Sequence, residues 1–329
     1  MGASIAGWGA ALPARRVTNA DLAQRLGVDE TWILERTGIR TRHLAAPDDT
    51  SASLGSRACL DALAAADVSA SDVDFVIAAT STPDYQLPAT APLIQHEVGA
   101  GNAAAFDIGA ACSGFLYGLA QATALIEAGM AQRVLVCGTD VLSRVTDHSD
   151  ARTAILFGDG AGAALVEKTD RPGGLGPFVL RSDGSGAHLL RIPREDGVIR
   201  MEGREVYRRA VEAMTSVLRE ILVASGATLD DIALVVAHQA NGRILEAVAA
   251  RLGLDPARMV VDISRVGNTS AASIPLALVD AHVTGRLHEG DLVALAAFGG
   301  GFVWGAGTMR WRDPTVTTFD AREVVAIHA

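Results

Sequence analysis

The feature that most constrains this fold is a set of short apolar strings that recur in the same order in the two halves of the chain. Asp72-Val73-Asp74-Phe75-Val76-Ile77-Ala78 resembles Asp231-Ile232-Ala233-Leu234-Val235-Val236-Ala237, 159 positions later. Phe106-Asp107-Ile108 resembles Val261-Asp262-Ile263 at an offset of 155, and Val134-Leu135-Val136 resembles Leu292-Val293-Ala294. Three matches in one order imply a duplicated unit. We therefore expect two similar α/β halves, residues 1–172 and 173–313, meeting across Arg171-Pro172-Gly173-Gly174-Leu175-Gly176-Pro177, with residues 314–329 as an extension of unassigned role.

Runs rich in Val, Ile and Ala alternate with longer amphipathic stretches, the pattern of a parallel-rich sheet covered on both faces. Strands are expected over 75–79, 104–108, 134–138, 234–237, 259–263 and 292–297. Helices are expected over 20–26, capped by Asn19 and ended by Gly27, over 113–128 before Gly129, and over 203–224. With 49% hydrophobic and 20% charged residues, the chain is neither disordered nor a coiled coil. A net charge of −10 without a long basic stripe excludes a nucleic-acid grip. Three cysteines rule out a disulfide framework and fit a reducing cytoplasm. Arg15 and Arg16 follow the first apolar stretch, the reverse of a signal peptide, and no apolar run reaches the roughly 18 residues of a membrane span. A soluble cytoplasmic protein is expected.

In duplicated halves, equivalent strand ends lie around one pseudo-twofold axis, and ligands of parallel sheets bind beyond the carboxyl ends of strands. The residues just past 108, 237 and 263 include Cys112, His238 and Asn268. Cys112 sits among small residues in Gly109-Ala110-Ala111-Cys112-Ser113-Gly114-Phe115, at the expected start of a helix, where a lowered thiol pKa is expected. Cys59 and Cys137 lack that setting and read as structural. A Cys, His and Asn set serves two chemistries: a hydrolase in which His is the general base, or a site in which His and Asn donate together to an enolate oxygen. Spacing leaves both open. The glycines of Phe298-Gly299-Gly300-Gly301-Phe302 let backbone amides approach a ligand, as an oxyanion hole requires. Neither Gly158-Asp159-Gly160-Ala161-Gly162-Ala163 nor Gly7-Trp8-Gly9 has the context of a dinucleotide fingerprint.

Four strings carry a family resemblance: Ala110-Ala111-Cys112-Ser113-Gly114-Phe115, His238-Gln239-Ala240-Asn241, Gly267-Asn268-Thr269-Ser270-Ala271-Ala272-Ser273 and Phe298-Gly299-Gly300-Gly301-Phe302. In this order they resemble the β-ketoacyl-acyl-carrier-protein synthase III enzymes of the thiolase-like superfamily, over about residues 5–311. The resemblance implies the thiolase-like α/β fold, layered α-β-α-β-α about a pseudo-twofold axis. It implies that Cys112 takes the acyl group from acyl-CoA while the amides of Cys112 and Gly300 hold the oxyanion. Malonyl carrier protein then enters, and His238 and Asn268 stabilise the enolate left by loss of carbon dioxide. The enolate carbon attacks the acyl-Cys112 thioester, and no metal or redox cofactor is needed. Asn268 stands where elongating synthases carry a second His.

Trp32-Ile33-Leu34-Glu35-Arg36-Thr37-Gly38-Ile39 matches the family's coenzyme A segment, which places Trp32 on the adenine with Arg152 as cationic partner and Arg36 nearby. Leu87, Leu142, Phe157 and Leu189 match pocket-lining positions, and in these homodimers the Leu87 position reaches into the partner's acyl pocket. Some acetyl-specific members have Phe there, so Leu87 leads us to expect propionyl- to isobutyryl-sized or longer starters. Docking of an acidic carrier protein on so acidic a chain requires a local basic patch, expected at Arg208, Arg209, Arg243 and Arg251. The pathway, fatty-acid initiation or the priming of an aromatic polyketide, stays open. The rival readings are an acyl-CoA thioester hydrolase using Cys112 and His238, and a catalytically silent acyl-CoA-binding subunit.

Overall fold

Successive side chains of a strand point to opposite faces, so Val134 and Val136 face one way and Leu135 and Cys137 the other. All four are fully buried, which requires cover on both sides of their sheet. The computed structural model describes residues 2–170 and 174–314. The expected junction at Arg171, Pro172 and Gly173, and all of the extension except Pro314, lie outside the described residues.

The amino-terminal part contributes β1 (Gly2–Ala11), the short pair β2 (Arg15–Thr18) and β3 (Thr41–Leu44), then β4 (Phe75–Ala79), β5 (Ala104–Ile108), β6 (Arg133–Val141) and β7 (Asp159–Thr169). Five of these form one sheet in the order β1-β7-β6-β4-β5, with β4 parallel to β5 and β6, and β7 antiparallel to β6 and β1. The rest of the chain contributes β8 (Leu175–Ser182), the short pair β9 (Leu190–Arg191) and β10 (Arg200–Met201), then β11 (Leu234–Ala237), β12 (Leu292–Gly299) and β13 (Val303–Arg310). The second sheet runs β11-β12-β13-β8, with β11 parallel to β12 and β13 antiparallel to its two neighbours. It repeats the plan of the first sheet without a counterpart of β5.

Among the described residues, ten helices join the strands: α1 (Asn19–Leu26), α2 (Glu30–Thr37), α3 (Ser51–Ala66), α4 (Thr90–Glu97), α5 (Gly114–Glu127), α6 (Ala151–Ala154), α7 (Gly203–Ser225), α8 (Gly242–Leu252), α9 (Ile263–Val266) and α10 (Ser273–Val283). Between the sheets lie α5 and α10, whose Phe115, Leu119, Ile274 and Leu278 share one core with Val136 and Leu295. On the outer face of the first sheet, Leu54 and Ala58 of α3 and Ile94 of α4 pack with Leu135 and Cys137. On the outer face of the second, Met214 and Val217 of α7 and Leu245 of α8 pack with Ala294 and Ala296. The result is the five-layer α-β-α-β-α arrangement.

The glycines of β1 let α3 sit unusually close. A Cβ on Gly7 would fall 2.2 Å from the Ala62 carbonyl oxygen, and one on Gly9 would fall 1.9 Å from that of Ala58. Only hydrogen at these positions lets the helix backbone meet the strand.

Three expectations are corrected. Residues 259–263 form no strand; a single parallel bridge joins Val235 to Met259. The Gln239 side chain replaces it: Oε1 accepts from the amides of Asp262 (2.8 Å) and Ile263 (3.0 Å), and Nε2 donates to the carbonyls of Ala237 (2.7 Å) and Val260 (3.2 Å). One amide side chain thus satisfies the backbone groups that a ladder would have paired. The cap of α1 is Thr18, in a reciprocal box with Asp21, while Asn19 is buried and donates to the Ile39 carbonyl. The helix expected from 113 begins at Gly114, after a tight turn over Ala111–Ser113 that carries the cysteine.

Candidate active site

Each of the three candidate residues is delivered by a chain reversal that the local sequence permits. After β5, small residues allow a sharp turn in which Ala111 takes φ 45°, and the Ser113 hydroxyl ties that turn to the Val303 carbonyl at 3.0 Å. Cys112 is thereby set at the amino end of α5. His238 follows β11 directly, and its amide continues the ladder to Ala296 at 2.8 Å. Asn268 is held by its backbone on both sides: its amide donates to Leu156 (2.9 Å) and its carbonyl accepts from Gly158 (3.0 Å).

Cys112, His238, Asn268 and Gly300 line one cavity of about 730 Å³. Trp32, Arg36, Arg152, Leu142, Phe157 and Arg243 line the same cavity. A Cβ on Gly299 would come within 2.8 Å of the Cys112 amide nitrogen, so the glycine run packs directly against the cysteine turn. The Arg36 guanidinium lies 4.7 Å from the Trp32 ring centroid, and Arg243 lies 5.9 Å from that of Tyr207. Arg152 is bound to Asp150 at 3.0 Å and is largely exposed.

The network around the two polar candidates fixes what they present. The Ser273 hydroxyl lies 2.7 Å from His238 Nδ1, and its oxygen accepts from the Gln239 amide at 3.3 Å. When the hydroxyl donates to Nδ1, Nε2 of the neutral ring carries the hydrogen. Burial pushes the His238 pKa down to about 3, which keeps the ring neutral. Asn268 Oδ1 accepts from the Ser270 amide at 2.9 Å, and Nδ2 donates to the Ala240 carbonyl at 3.3 Å, leaving a second Nδ2 hydrogen. In that tautomer both side chains offer N–H donors.

The thiol departs from expectation. Burial pushes the Cys112 pKa up to about 11; the Ser270 hydroxyl, donating to the sulfur at 3.4 Å, works against that rise, and the charge of Asp140 adds to it. By exposed area Cys112 is only half-buried, because it lines the cavity. Cys59 and Cys137 are fully buried in the core under α3.

Other expected positions are not brought to the cavity. Leu190, the first residue of β9, lines it, whereas its neighbour Leu189, which ends the helical turn Gly184–Leu189, does not. Leu87 is 87% exposed. Arg208 is paired with Glu205 and Glu212, and Arg209 lies 3.8 Å from Asp183, so these two charges are already balanced on the α7 surface. Arg251 is exposed and accepts from Arg219 through its carbonyl. The sequence reading missed Asp140, Ser270 and Ser273, and also Arg191 and Arg204 among the cavity residues. Among the described residues, no group of three or more His, Cys, Asp or Glu side chains is placed to hold a metal ion. No helix among them is long and apolar enough to cross a membrane.

Comparison with known proteins places this site in a family. Residues 106–184 match the family model of 3-oxoacyl-[acyl-carrier-protein (ACP)] synthase III, and residues 222–311 match that of its C-terminal part. The chain is 46% identical to the beta-ketoacyl-[acyl-carrier-protein] synthase III of Chelativorans sp. (strain BNC1), over 94% of this chain and 99% of that one. Its structure is similar to that of the 3-oxoacyl-(acyl carrier protein) synthase III of Pseudomonas aeruginosa PAO1, with a TM-score of 0.93 and 42% identity over 96% of this chain and all of the other. It also resembles the priming beta-ketosynthase of the R1128 polyketide pathway, with a TM-score of 0.91 and 35% identity over 95% and 97% of the two chains. With nearly the whole chain covered at this identity and the thiolase-like layers in place, the protein belongs to the 3-oxoacyl-[acyl-carrier-protein] synthase III family.

Proposed function

We propose that this protein condenses an acyl-CoA starter with malonyl carrier protein, with loss of carbon dioxide, through an acyl-Cys112 intermediate. Cys112 takes the acyl group while its own amide and that of Gly300 hold the oxyanion, and coenzyme A leaves. His238 and Asn268 then donate to the enolate oxygen of the decarboxylated malonyl thioester, whose carbon attacks the acyl-Cys112 carbonyl. Trp32, Arg36 and Arg152 hold the adenine nucleotide of coenzyme A, and Leu142 and Phe157 line the acyl site. No metal or redox group takes part in these steps.

The observation that carries this reading is the donor character of the His238–Asn268 pair. A hydrolase would need an imidazole lone pair turned to the thiol; in the tautomer we propose, the Ser273 hydroxyl donates to Nδ1 and Nε2 bears the hydrogen. Two N–H donors on one cavity suit a developing enolate instead.

We further infer that the chain works as a homodimer in the cytoplasm, built from duplicated units divided near residue 172. Supporting this, β5 ends its sheet with one edge unpaired among the described residues, and Phe106 and Ile108 on it are only partly buried. Tyr85 and Leu87 are exposed apolar side chains in the loop ahead of α4, a position suited to a partner's surface.

Intact-protein mass after incubation with a panel of acyl-CoA esters tests the reading. One acyl mass is expected on the unmodified protein and on Cys59→Ser and Cys137→Ser, and none on Cys112→Ser. Adding malonyl carrier protein must then yield a carbon–carbon bonded product. Release of free acid would favour a hydrolase, and absence of any adduct would favour a silent acyl-CoA-binding subunit.

A further inference from the structure

One arginine of this chain lies where no substrate reaches. Arg42, on β3, is 1% exposed and does not line the cavity. Its guanidinium donates to Asn19 Oδ1 through Nη1 and to the Ile155 carbonyl through Nη2, each at 2.9 Å, while the buried Nε has no hydrogen-bond partner. Among the described residues no carboxylate pairs with it. Burial and the nearby charge of Arg25 lower its pKa to about 10, so it is a cation at neutral pH. Burying a charge without a counterion is unfavourable, and a neutral side chain would fill the same space more easily. What the guanidinium alone supplies is a rigid fork that binds two acceptors at once.

That fork meets the framework that carries Asn268. Phe157 and Asn268 face each other in a parallel bridge, closed by the Asn268 amide on the Leu156 carbonyl (2.9 Å) and the Gly158 amide on the Asn268 carbonyl (3.0 Å). The β3 segment holds both sides of this bridge. On the Asn268 side, the Arg40 amide donates to the Ser264 carbonyl (2.8 Å) and the Thr41 hydroxyl to that of Arg265 (2.7 Å). On the Phe157 side, Arg42 takes the Ile155 carbonyl. The start of the Arg42 side chain packs against both backbones: a Cβ on Gly158 would come 3.2 Å from Arg42 Cβ, and one on Gly267 would come 3.1 Å from it. At the other tine of the fork, Asn19 is itself fixed, its Nδ2 donating to the Ile39 carbonyl (2.7 Å) and its amide to that of Arg40 (3.1 Å).

We propose that Arg42 is the positioning residue of Asn268: through Ile155 and the Phe157–Asn268 bridge it sets where the Asn268 side chain aims its free Nδ2 hydrogen. This inference rests on the reading of Asn268 as a donor to the enolate oxygen. A donor stabilises a developing charge only when its hydrogen is aimed at the place where that charge forms, and a displacement of about 1 Å is enough to lose most of the effect. The Asn268 side chain spends its other bonds on the Ser270 amide and the Ala240 carbonyl, so its remaining hydrogen goes where the backbone of residue 268 puts it.

Without the fork, the Ile155 carbonyl loses its tether, and the paired segments 155–158 and 266–268 can drift together from β3. Cys112 is carried by a different turn, which the Ser113 hydroxyl ties to Val303. Loss of Arg42 should therefore touch the decarboxylation step and spare the thiol.

Single-turnover rates of the two half-reactions test the assignment on the full-length protein, at saturating acyl-CoA because Phe157 shares the bridge. Arg42→Met, which removes the donors, and Arg42→Lys, which keeps the charge without the fork, should acylate at Cys112 within about threefold of the unmodified protein. Decarboxylation of malonyl carrier protein should fall about 10-fold in Arg42→Met and about threefold in Arg42→Lys. Asn19→Ala leaves Arg42 in place with one anchor gone; it should show the same split by about threefold, and it carries the test should the Arg42 variants fail to fold. Placed on Asn268→Ala, each change should cost less than about twofold more, because a residue that acts through Asn268 then has nothing left to position. Comparable losses of acylation and decarboxylation, an unchanged decarboxylation rate in the folded variants, or a loss that persists undiminished on Asn268→Ala would overturn the positioning role. Decarboxylation by Asn268→Ala alone at the unmodified rate would instead overturn the donor reading of Asn268, and the positioning role with it.

Discussion

Ala111 and Ser270 hold the same left-handed backbone conformation, with φ of 45° and 51°, at positions 159 residues apart in the two halves. Each begins the turn that leads into one of the two central helices, α5 and α10. For residues with a Cβ this conformation costs roughly 1 kcal/mol or more, so the surrounding structure holds both turns in place. One turn presents Cys112, and the other brings the Ser270 hydroxyl onto its sulfur. The two halves thus contribute different chemistry through one shared backbone device.

The donor pair should separate the two half-reactions. Asn268→Ala is expected to acylate at Cys112 yet lose malonyl decarboxylation by about 10²-fold, the usual effect of one lost donor. Ser273→Ala should show the same split more weakly, by about 10-fold, because the His238 ring remains but its tautomer is no longer imposed. Carbon dioxide release from malonyl carrier protein, compared with acyl-enzyme mass, reads both. Equal losses in the two half-reactions would mark Asn268 as structural.

His238 should contribute to acid sensitivity. A histidine of an unfolded chain titrates near 6.5, whereas burial holds folded His238 to about 3. Below pH 6.5 the unfolded state therefore binds the proton first, and stability falls until the folded-state pKa is passed. Between pH 7 and pH 4 this group alone should cost on the order of 3 kcal/mol. Urea midpoints of the unmodified protein and of His238→Gln should differ in their pH dependence by about that amount. Identical profiles would show the ring to be hydrated.

Carrier-protein docking should depend on Arg243 and hardly on Arg208. Arg243 lies on the cavity with its guanidinium over Tyr207, while Arg208 is held between two glutamates. Arg243→Glu is expected to raise the KM for malonyl carrier protein more than that for acyl-CoA, in a salt-sensitive way. Arg208→Glu should change either KM by less than about twofold, as expected for a surface charge already paired. Equal effects of Arg243→Glu on both substrates would reject the docking role.

In the proposed homodimer, starter choice should follow Leu87. Relative to a phenylalanine, its smaller side chain leaves room for one or two extra carbons, at about 0.8 kcal/mol per buried methylene. Longer or branched esters should then exceed acetyl-CoA in kcat/KM by roughly 4- to 15-fold. Leu87→Phe should reverse that order. A preference of the unmodified protein for acetyl-CoA over every longer ester would remove the pocket argument.

Much of this architecture was legible because strand period and strand ends are local properties. The spans Phe75–Ala79, Ala104–Ile108 and Leu234–Ala237 are those that apolar patterning marks, and the loops beyond strand ends do bring Cys112, His238 and Asn268 to one cavity. What escaped depends on partners distant in sequence. Nothing in Met259 and its neighbours announces that the Gln239 amide will take their hydrogen bonds. Leu189 ends a helical turn and Leu190 begins β9, a boundary that no local pattern marks and that decides which of them lines the cavity. The helix end at Cys112 was visible, but the neighbours that set its thiol, Ser270 and the charge of Asp140, were not. Ser270 did leave a signal: the 159-residue offset that aligns the strands also aligns it with Ala111, beside the cysteine.

The contact between β1 and α3 extends this dependence far from the cavity. The Ser51 carbonyl, at the start of α3, accepts from Thr139 at 2.7 Å, and the Ser51 hydroxyl donates to the Thr82 carbonyl, whose own side chain holds Asp140. A methyl group on Gly9 would lift α3 and loosen that whole suspension. In a library of random variants, Gly9 should therefore tolerate change as poorly as Cys112, though the survivors would differ: altered Cys112 leaves an intact but silent protein, whereas altered Gly9 leaves a damaged scaffold with its chemistry still written in it.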